Sequence, residues 1–357
     1  MKHITPKTII LLLSILAVCA FSCEKPEPVE EPQNTPVEAV SHGVYVLSEG
    51  LMNLNNSTLT FYDFDKGTTT PDAFLAANNR GLGDTGNDLK TYGSKMYCVV
   101  NISETVEIMD LKTAKSLKQI SLSGRQPRRI AFDGGYAYVC CFDGAVVKID
   151  TVTMEVTATA QAGSNPDGIC VANGKLYVAN SGGLNYPNYG NTVTVFDLAT
   201  LSPIKNITVV VNPTRVAADS QGDVYLVSNG NYDDVPMTFQ RIDSQTDEVV
   251  QTFDFAVTNF AISNNLCYLY HFNYSTNQYS VKVMDVLTEQ IVKEQFITDG
   301  TTLTAPYCIA VNPANGDVYL TDAYQFTTNG DVICFGPDGH KKFSFEAGIC
   351  PSCIVFK

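Results

Sequence analysis

One strand pattern recurs seven times along the chain, and it limits the possible folds more than any other feature. An aromatic residue leads a short apolar run at Tyr45-Val46-Leu47, Tyr97-Cys98-Val99, Tyr138-Val139-Cys140, Tyr177-Val178-Ala179, Tyr225-Leu226-Val227, Tyr268-Leu269-Tyr270 and Tyr319-Leu320-Thr321. The copies lie 39 to 52 residues apart, the period expected of propeller blades. A second element, Pro-x-x-apolar, precedes most of them. It begins at Pro127, Pro166, Pro213, Pro306 and Pro351, with degenerate copies at Asn87-Asp88-Leu89 and Val257-Thr258-Asn259-Phe260. Proline has no N–H to donate, so it suits the first residue of a strand. A third element alternates apolar and polar residues and ends in Asp-x-x-Thr, as in Val106 to Asp110 and Val193 to Asp197. Period-two alternation marks a half-buried strand, and the Asp-x-x-Thr is turn chemistry. A weaker fourth strand follows, as in Ile204 to Val209.

Four strands in each of seven repeats predict an all-β chain folded as a seven-bladed β-propeller over residues 43–357. An open solenoid also stacks repeats. The repeat phase favours a ring: the first aromatic strand, at Tyr45, has no Pro-x-x-apolar strand before it, and the last such strand, at Pro351, has no aromatic strand after it. The C-terminal strand is therefore expected to complete blade 1, which leaves no open sheet edge.

Residues 1–22 have the order of a secretory signal. Lys2 and Lys7 precede an apolar run from Ile9 to Val18, and small residues lead to Ser22 and Cys23. That run is short for a transmembrane helix. Cys23, with Ala20 three positions before it, resembles the lipidated cysteine of a bacterial lipobox; Cys19 is the weaker choice, because Val18 is large for a cleavage position. Residues 23–42 are rich in Pro and Glu and are expected to be an extended tether. Acidic residues just after Cys23 resemble the surface-export signal of Bacteroides-type lipoproteins. The expected location is the outer membrane, facing outward, with a periplasm-facing lipoprotein as the alternative. The lipid anchor would be the contact with membrane.

The formal net charge is −14. A surface this acidic repels phosphate backbones, so nucleic acid is not an expected partner. No His-Glu-x-x-His or Gly-x-Ser-x-Gly occurs, and Trp, used in the docking motifs of quinone-cofactor propellers, is absent. No cofactor, metal site or catalytic residue is assigned. Asp84, Asp88, Asp233, Asp234 and Asp322 could in principle meet a calcium ion, but without EF-hand spacing. The cysteines in strands read as small buried hydrophobes, and Cys350-Pro351-Ser352-Cys353 reads as structural.

Two kinds of connection alternate along the repeats. Short turns such as Asp133-Gly134-Gly135 belong to one face. Long, dissimilar loops belong to the other, among them 73–88, 180–191, 229–238, 271–279, 299–306 and 322–330, rich in Asn, Tyr and Gly. Irregular loops on one side of a regular scaffold usually bind there. Tyrosine offers an apolar plane with a polar tip, and asparagine both donates and accepts. Candidate ligand contacts are Tyr186, Asn188, Tyr189, Tyr232, Tyr274, Asn277, Tyr324, Gln325 and Phe326, with Arg80, Asn87, Asp88, Arg125, Arg128 and Arg129 on the neighbouring rim.

The strand Tyr177 to Asn180, with Pro166-Asp167-Gly168-Ile169 before it and Val193 to Asp197 after, resembles the YncE-like propellers. The opening Gly43 to Gly50, the stretch Leu82 to Asp88 and the ending Pro351 to Phe356 are similar to surface propeller lipoproteins of Bacteroides-type bacteria, including the BtuG-type cobalamin-capture proteins. The resemblance implies a non-enzymatic lipoprotein that captures a corrinoid and passes it to a TonB-dependent outer-membrane transporter. It fixes no contact residue. A module binding a surface glycan or protein is the alternative, and a lactonase- or lyase-like enzyme a third.

Overall fold

The structure, a computed structural model, describes residues 41–357. The expected signal, lipidated Cys23 and the tether up to residue 40 lie outside the described residues. Among the described residues no helix is long and apolar enough to cross a membrane.

Seven four-stranded antiparallel sheets form the blades. Blade 1 joins the last strand, Pro351–Phe356, to Gly43–Ser48, Thr58–Asp63 and Thr68–Thr70. The C-terminal strand therefore closes the ring from the inside, in the register Val44 opposite Phe356 through Leu47 opposite Cys353. The other blades are built in chain order, with inner strands Gly86–Tyr92, Pro127–Asp133, Pro166–Ala172, Pro213–Ala218, Asn259–Ser263 and Pro306–Val311. Each inner strand touches the next around a central channel.

The recurring tyrosines make the core. Tyr45, Tyr97, Tyr138, Tyr177, Tyr225, Tyr268 and Tyr319 are all buried. They pack between blades: Tyr97 and Val99 of blade 2, for example, meet Ile130 and Val139 of blade 3. On the short-turn face, each Asp-x-x-Thr is a side-chain-closed turn. The Asp110 carboxylate accepts from the Lys112 and Thr113 N–H groups at 3.1 and 2.9 Å, and Asp285 accepts from Leu287 and Thr288 at 2.9 Å each. One residue beyond that Thr the backbone turns left-handed, at Ala114, Met154, Leu201, Asp247 and Glu289. The short polar turn before it holds the backbone of these residues in a region that L-residues seldom occupy.

Two loops expected on the long-loop face are more ordered than anticipated. The stretch 271–279 is mainly a hairpin, with Leu266–Asn273 paired to Gln278–Asp285 and only Tyr274 to Asn277 at its tip. The stretch 73–88 opens with a short helix, Ala73–Asn78, capped by the Asp72 carboxylate at the Leu75 N–H, and ends inside an inner strand.

Candidate functional site

The candidate site follows from a defect repeated at the top of the inner strands. In blades 2, 3, 4, 5, 7 and 1 the strand register slips directly after the first residue, leaving Asn87, Arg128, Asp167, Thr214, Tyr307 with Cys308, and Ser352 without a partner. A bulge bends its strand and re-aims the local side chains. In a regular strand, successive side chains point to opposite faces. Here two neighbours reach the same space: Arg128 with Arg129, and Thr214 with Arg215, all line one cavity at the channel mouth. Blade 6 differs. Asn259 pairs with Tyr270 in unbroken register, and its hairpin rises beside the opening.

The mouth cavity has a volume of about 630 Å³. Its floor carries guanidinium groups and its walls carry Tyr232, Tyr270, Tyr274 and Tyr307. A narrower space of about 190 Å³ continues down the channel past Asp88, Arg129, Arg215 and Asn259. Arg128 donates through Nε to the Asp167 carboxylate at 3.0 Å, reaches the Asn87 side-chain amide oxygen through Nη1, and lies 4.4 Å from the Phe142 ring centre. Arg129 stands between two carboxylates, 3.9 Å from Asp167 and 4.0 Å from Asp88. Asp88 also accepts from the Ile130 N–H at 3.0 Å. Burial alone would raise the Asp167 carboxyl, but Arg128, Arg129 and Arg215 hold it below the ordinary carboxylate value.

The opposite wall is phenolic. Tyr270 donates to the Tyr307 carbonyl at 2.6 Å, and Tyr307 donates to the Glu49 carboxylate at 2.9 Å. Burial pushes the Glu49 carboxyl up, against the pull of the Tyr307 hydroxyl and the nearby arginines. His271 is half-buried, 3.5 Å from the Thr258 hydroxyl, and burial lowers its imidazole.

The structure distributes the residues expected from sequence over three places. Arg128, Arg129, Tyr232 and Tyr274 line the mouth, Asn87 and Asp88 hold its arginines, and Phe326 backs Tyr274 and Tyr307 at 6.3 and 5.6 Å between ring centres. Exposed Tyr186 and half-buried Tyr189 form a ridge that runs edge-on into Tyr232, with ring centres 6.1 and 5.8 Å apart, and exposed Asn188 lies in the same loop. The rest are elsewhere. Arg80 turns away to the buried Glu107 at 2.9 Å, and Arg125 pairs with Asp143 at 2.8 Å. The Tyr324 hydroxyl donates to Asp331 at 2.6 Å; Gln325 is exposed, and exposed Asn277 takes the left-handed position of a hairpin tip. Of the acidic loop residues, Asp84 accepts from the Asn53 and Asn55 N–H groups, and Asp322 from those of Thr304, Ala305 and Tyr324. Among the described residues no group of three or more metal-ligating side chains converges.

Asp167, Arg215, Tyr270, Tyr307 and Glu49 were not singled out from the sequence. A signal for three of them was present: Asp167, Arg215 and Tyr307 are the variable residues inside the Pro-x-x-apolar element.

Solved structures with similar folds include a quinoprotein alcohol dehydrogenase-like protein from Bacteroides thetaiotaomicron, at TM-score 0.67 and 19% identity over 88% of this chain and 78% of that one. Hydrazine synthase of Kuenenia stuttgartiensis aligns at TM-score 0.57 and 15% identity, over 74% of this chain and 92% of that one. The computationally designed Ika8 protein aligns at TM-score 0.54 and 12% identity, over 74% and 87%. At these identities the likeness is one of fold. No curated protein matches the sequence. Residues 42–335 match the family described as a domain of unknown function, DUF5074, so the chain belongs to that family.

Proposed function

We propose that the protein is a non-enzymatic capture module whose mouth binds a large, flat ligand edged with amides or hydroxyls, with a corrinoid as the first candidate. The observation that carries this reading is the cavity of about 630 Å³ floored by arginines and walled by four tyrosines. Rigid aromatic planes with hydroxyl tips suit a broad ring edged with amides. A closed ring holds these groups in place before binding, so little ordering entropy is lost. The non-catalytic reading draws support from how the acids are used: Asp167 is bonded to Arg128, Asp88 to a backbone N–H, and Glu49 to Tyr307. The run to Cys23 supports a lipid-anchored protein at the outer membrane; hand-over to a TonB-dependent transporter is what the resemblance to capture lipoproteins implies.

Calorimetric titration of the chain from Ala39, which forms one compact unit, with cyanocobalamin tests the reading. Saturable binding that weakens by roughly tenfold, about 1.4 kcal/mol, in Tyr232→Ala or Tyr274→Ala is the expected result. No heat and no thermal shift would remove the corrinoid. A surface glycan is the second reading. It is favoured by Tyr186, 76% exposed, and by the line of rings from it through Tyr189 to Tyr232, which offers stacking faces for sugars.

A further inference from the structure

We infer that Arg215 is an anion-binding subsite of the mouth, and that the ligand carries one carboxylate or phosphodiester group on a largely uncharged body. The inference rests on the mouth being a binding site and names the chemistry it would take. Arg215 borders both the mouth cavity and the channel below it. The acids around it make their hydrogen bonds to other groups, although the Arg215 charge helps to hold the Asp167 carboxyl down. Asp167 is bonded to Arg128 and paired with Arg129; Asp88 accepts from the Ile130 N–H; Glu49 accepts from Tyr307. Among the described residues Arg215 itself forms neither an ion pair nor a side-chain hydrogen bond, unlike Arg128 beside it.

A guanidinium offers five N–H donors in a planar fork, and Arg215, half-buried at the cavity, directs none of them to a side-chain acceptor among the described residues. A second guanidinium in the same layer is also incompletely satisfied: the Nε of Arg129 is buried with no acceptor. Among the described residues no wall hydroxyl accepts from Arg215; those of Tyr270 and Tyr307 donate to the Tyr307 carbonyl and to Glu49. A ligand oxygen anion would engage this fork, which favours the two-oxygen geometry of a carboxylate or phosphate.

The charge of the whole chain narrows the class further. At −14 it repels highly charged anions before contact, so a single anionic group on a neutral, flat body fits both the local and the distant field.

Ligand-observed NMR on the chain from Ala39 tests this with benzoate, dimethyl phosphate and the neutral isostere benzamide. Benzoate and dimethyl phosphate should compete for one site, with benzamide at least about tenfold weaker. Arg215→Gln should weaken both anions by at least about tenfold, Arg215→Lys by less, and Arg125→Gln should leave them unchanged. Arg215→Lys keeps the test valid if the glutamine variant fails to fold. Equal binding of benzamide, no anion binding to the unaltered chain, retention of binding in folded Arg215→Gln, or an equal loss in Arg125→Gln would overturn the inference. Parallel titration with cyanocobalamin separates the two readings. Undiminished binding to Arg215→Gln removes the anion subsite and keeps corrinoid capture; anion binding at Arg215 with no cyanocobalamin binding does the reverse.

Discussion

Arg80 gives the sharpest contrast between a rim residue and a structural one. Its Nη2 lies 2.9 Å from both carboxylate oxygens of Glu107, whose side chain is fully buried, while Arg80 itself is 40% exposed. Its guanidinium also lies 4.8 Å from the Phe74 ring centre. Arg80→Ala leaves a buried carboxylate with Gln119 Nε2, at 2.9 Å, as its remaining side-chain partner. Removing one member of a buried pair costs about 3–5 kcal/mol; the partial exposure of Arg80 reduces that to about 2–3 kcal/mol. Unfolding entropy of about 2.1 cal/mol/K per residue over roughly 320 residues then gives a fall in Tm of about 3–5 °C. Differential scanning calorimetry measures it. Adding Glu107→Gln to Arg80→Ala should recover most of the loss, because a neutral amide is no longer a buried unpaired charge. An unchanged Tm in Arg80→Ala, or a loss of ligand binding without any loss of stability, would refute the assignment.

Three other measurements probe the scaffold. Tyr177→Phe removes a buried hydroxyl that donates to Asp247 at 2.6 Å, next to Lys175 Nζ at 2.7 Å, and should cost about 1–2 kcal/mol in urea unfolding; a neutral substitution would contradict that network. The N–H groups of Lys341 and Thr301 hold the exposed Asp299 carboxyl down to about 2. Its contribution is therefore present above the unfolded value near 4 and is lost as pH falls through about 2, so Asp299→Asn should flatten the acid limb of the stability curve over that window, and an unaltered limb would count against it. The nine described cysteines are free and buried, and burial pushes Cys140 and Cys170 up to about 12 and Cys350 and Cys353 up to about 11. The chain from Ala39 should release no colour from Ellman's reagent near pH 8 until it unfolds, and prompt reaction of any one thiol would show an open channel wall.

The blades were legible because their determinants are local. A buried tyrosine at a fixed place in each second strand, a proline before it and an Asp-x-x-Thr turn after it act within one repeat, and Tyr45 through Tyr319 all occupy equivalent buried positions. The ring closure was legible for the same reason, since the first aromatic strand lacks an inner strand before it in the chain and the last inner strand lacks an aromatic one after it. Side-chain direction at the mouth was not. Arg80 and Arg128 are both arginines close to an inner strand, yet one serves Glu107 and the other lines the cavity. Loop composition was a weaker guide still: Tyr324 and Tyr274 both sit in tyrosine-bearing loops, but Tyr324 is tied to Asp331 and Tyr274 faces the mouth. Which partner a long side chain finds depends on contacts across blades, which no single repeat contains.

The slipped register explains why the variable pair within Pro-x-x-apolar carries the site. The proline starts the strand, the extra residue breaks the pleat, and the apolar residue resumes it against the next strand, as Ile130 does opposite Val139. Two adjacent side chains are thereby turned to the channel without disturbing the packed layer below. The scaffold can thus change its floor chemistry, Arg128-Arg129 in one blade and Thr214-Arg215 in another, at no cost to the repeat. A ring of equal blades would still enclose only a narrow axial channel. Blade 6 supplies the asymmetry: it lacks both the proline and the slip, and its extended hairpin places Tyr270 and Tyr274 in the wall of the cavity that also holds Arg215 of blade 5 and Tyr307 of blade 7. The departure from the repeat, more than the repeat itself, turns the channel mouth into a one-sided pocket.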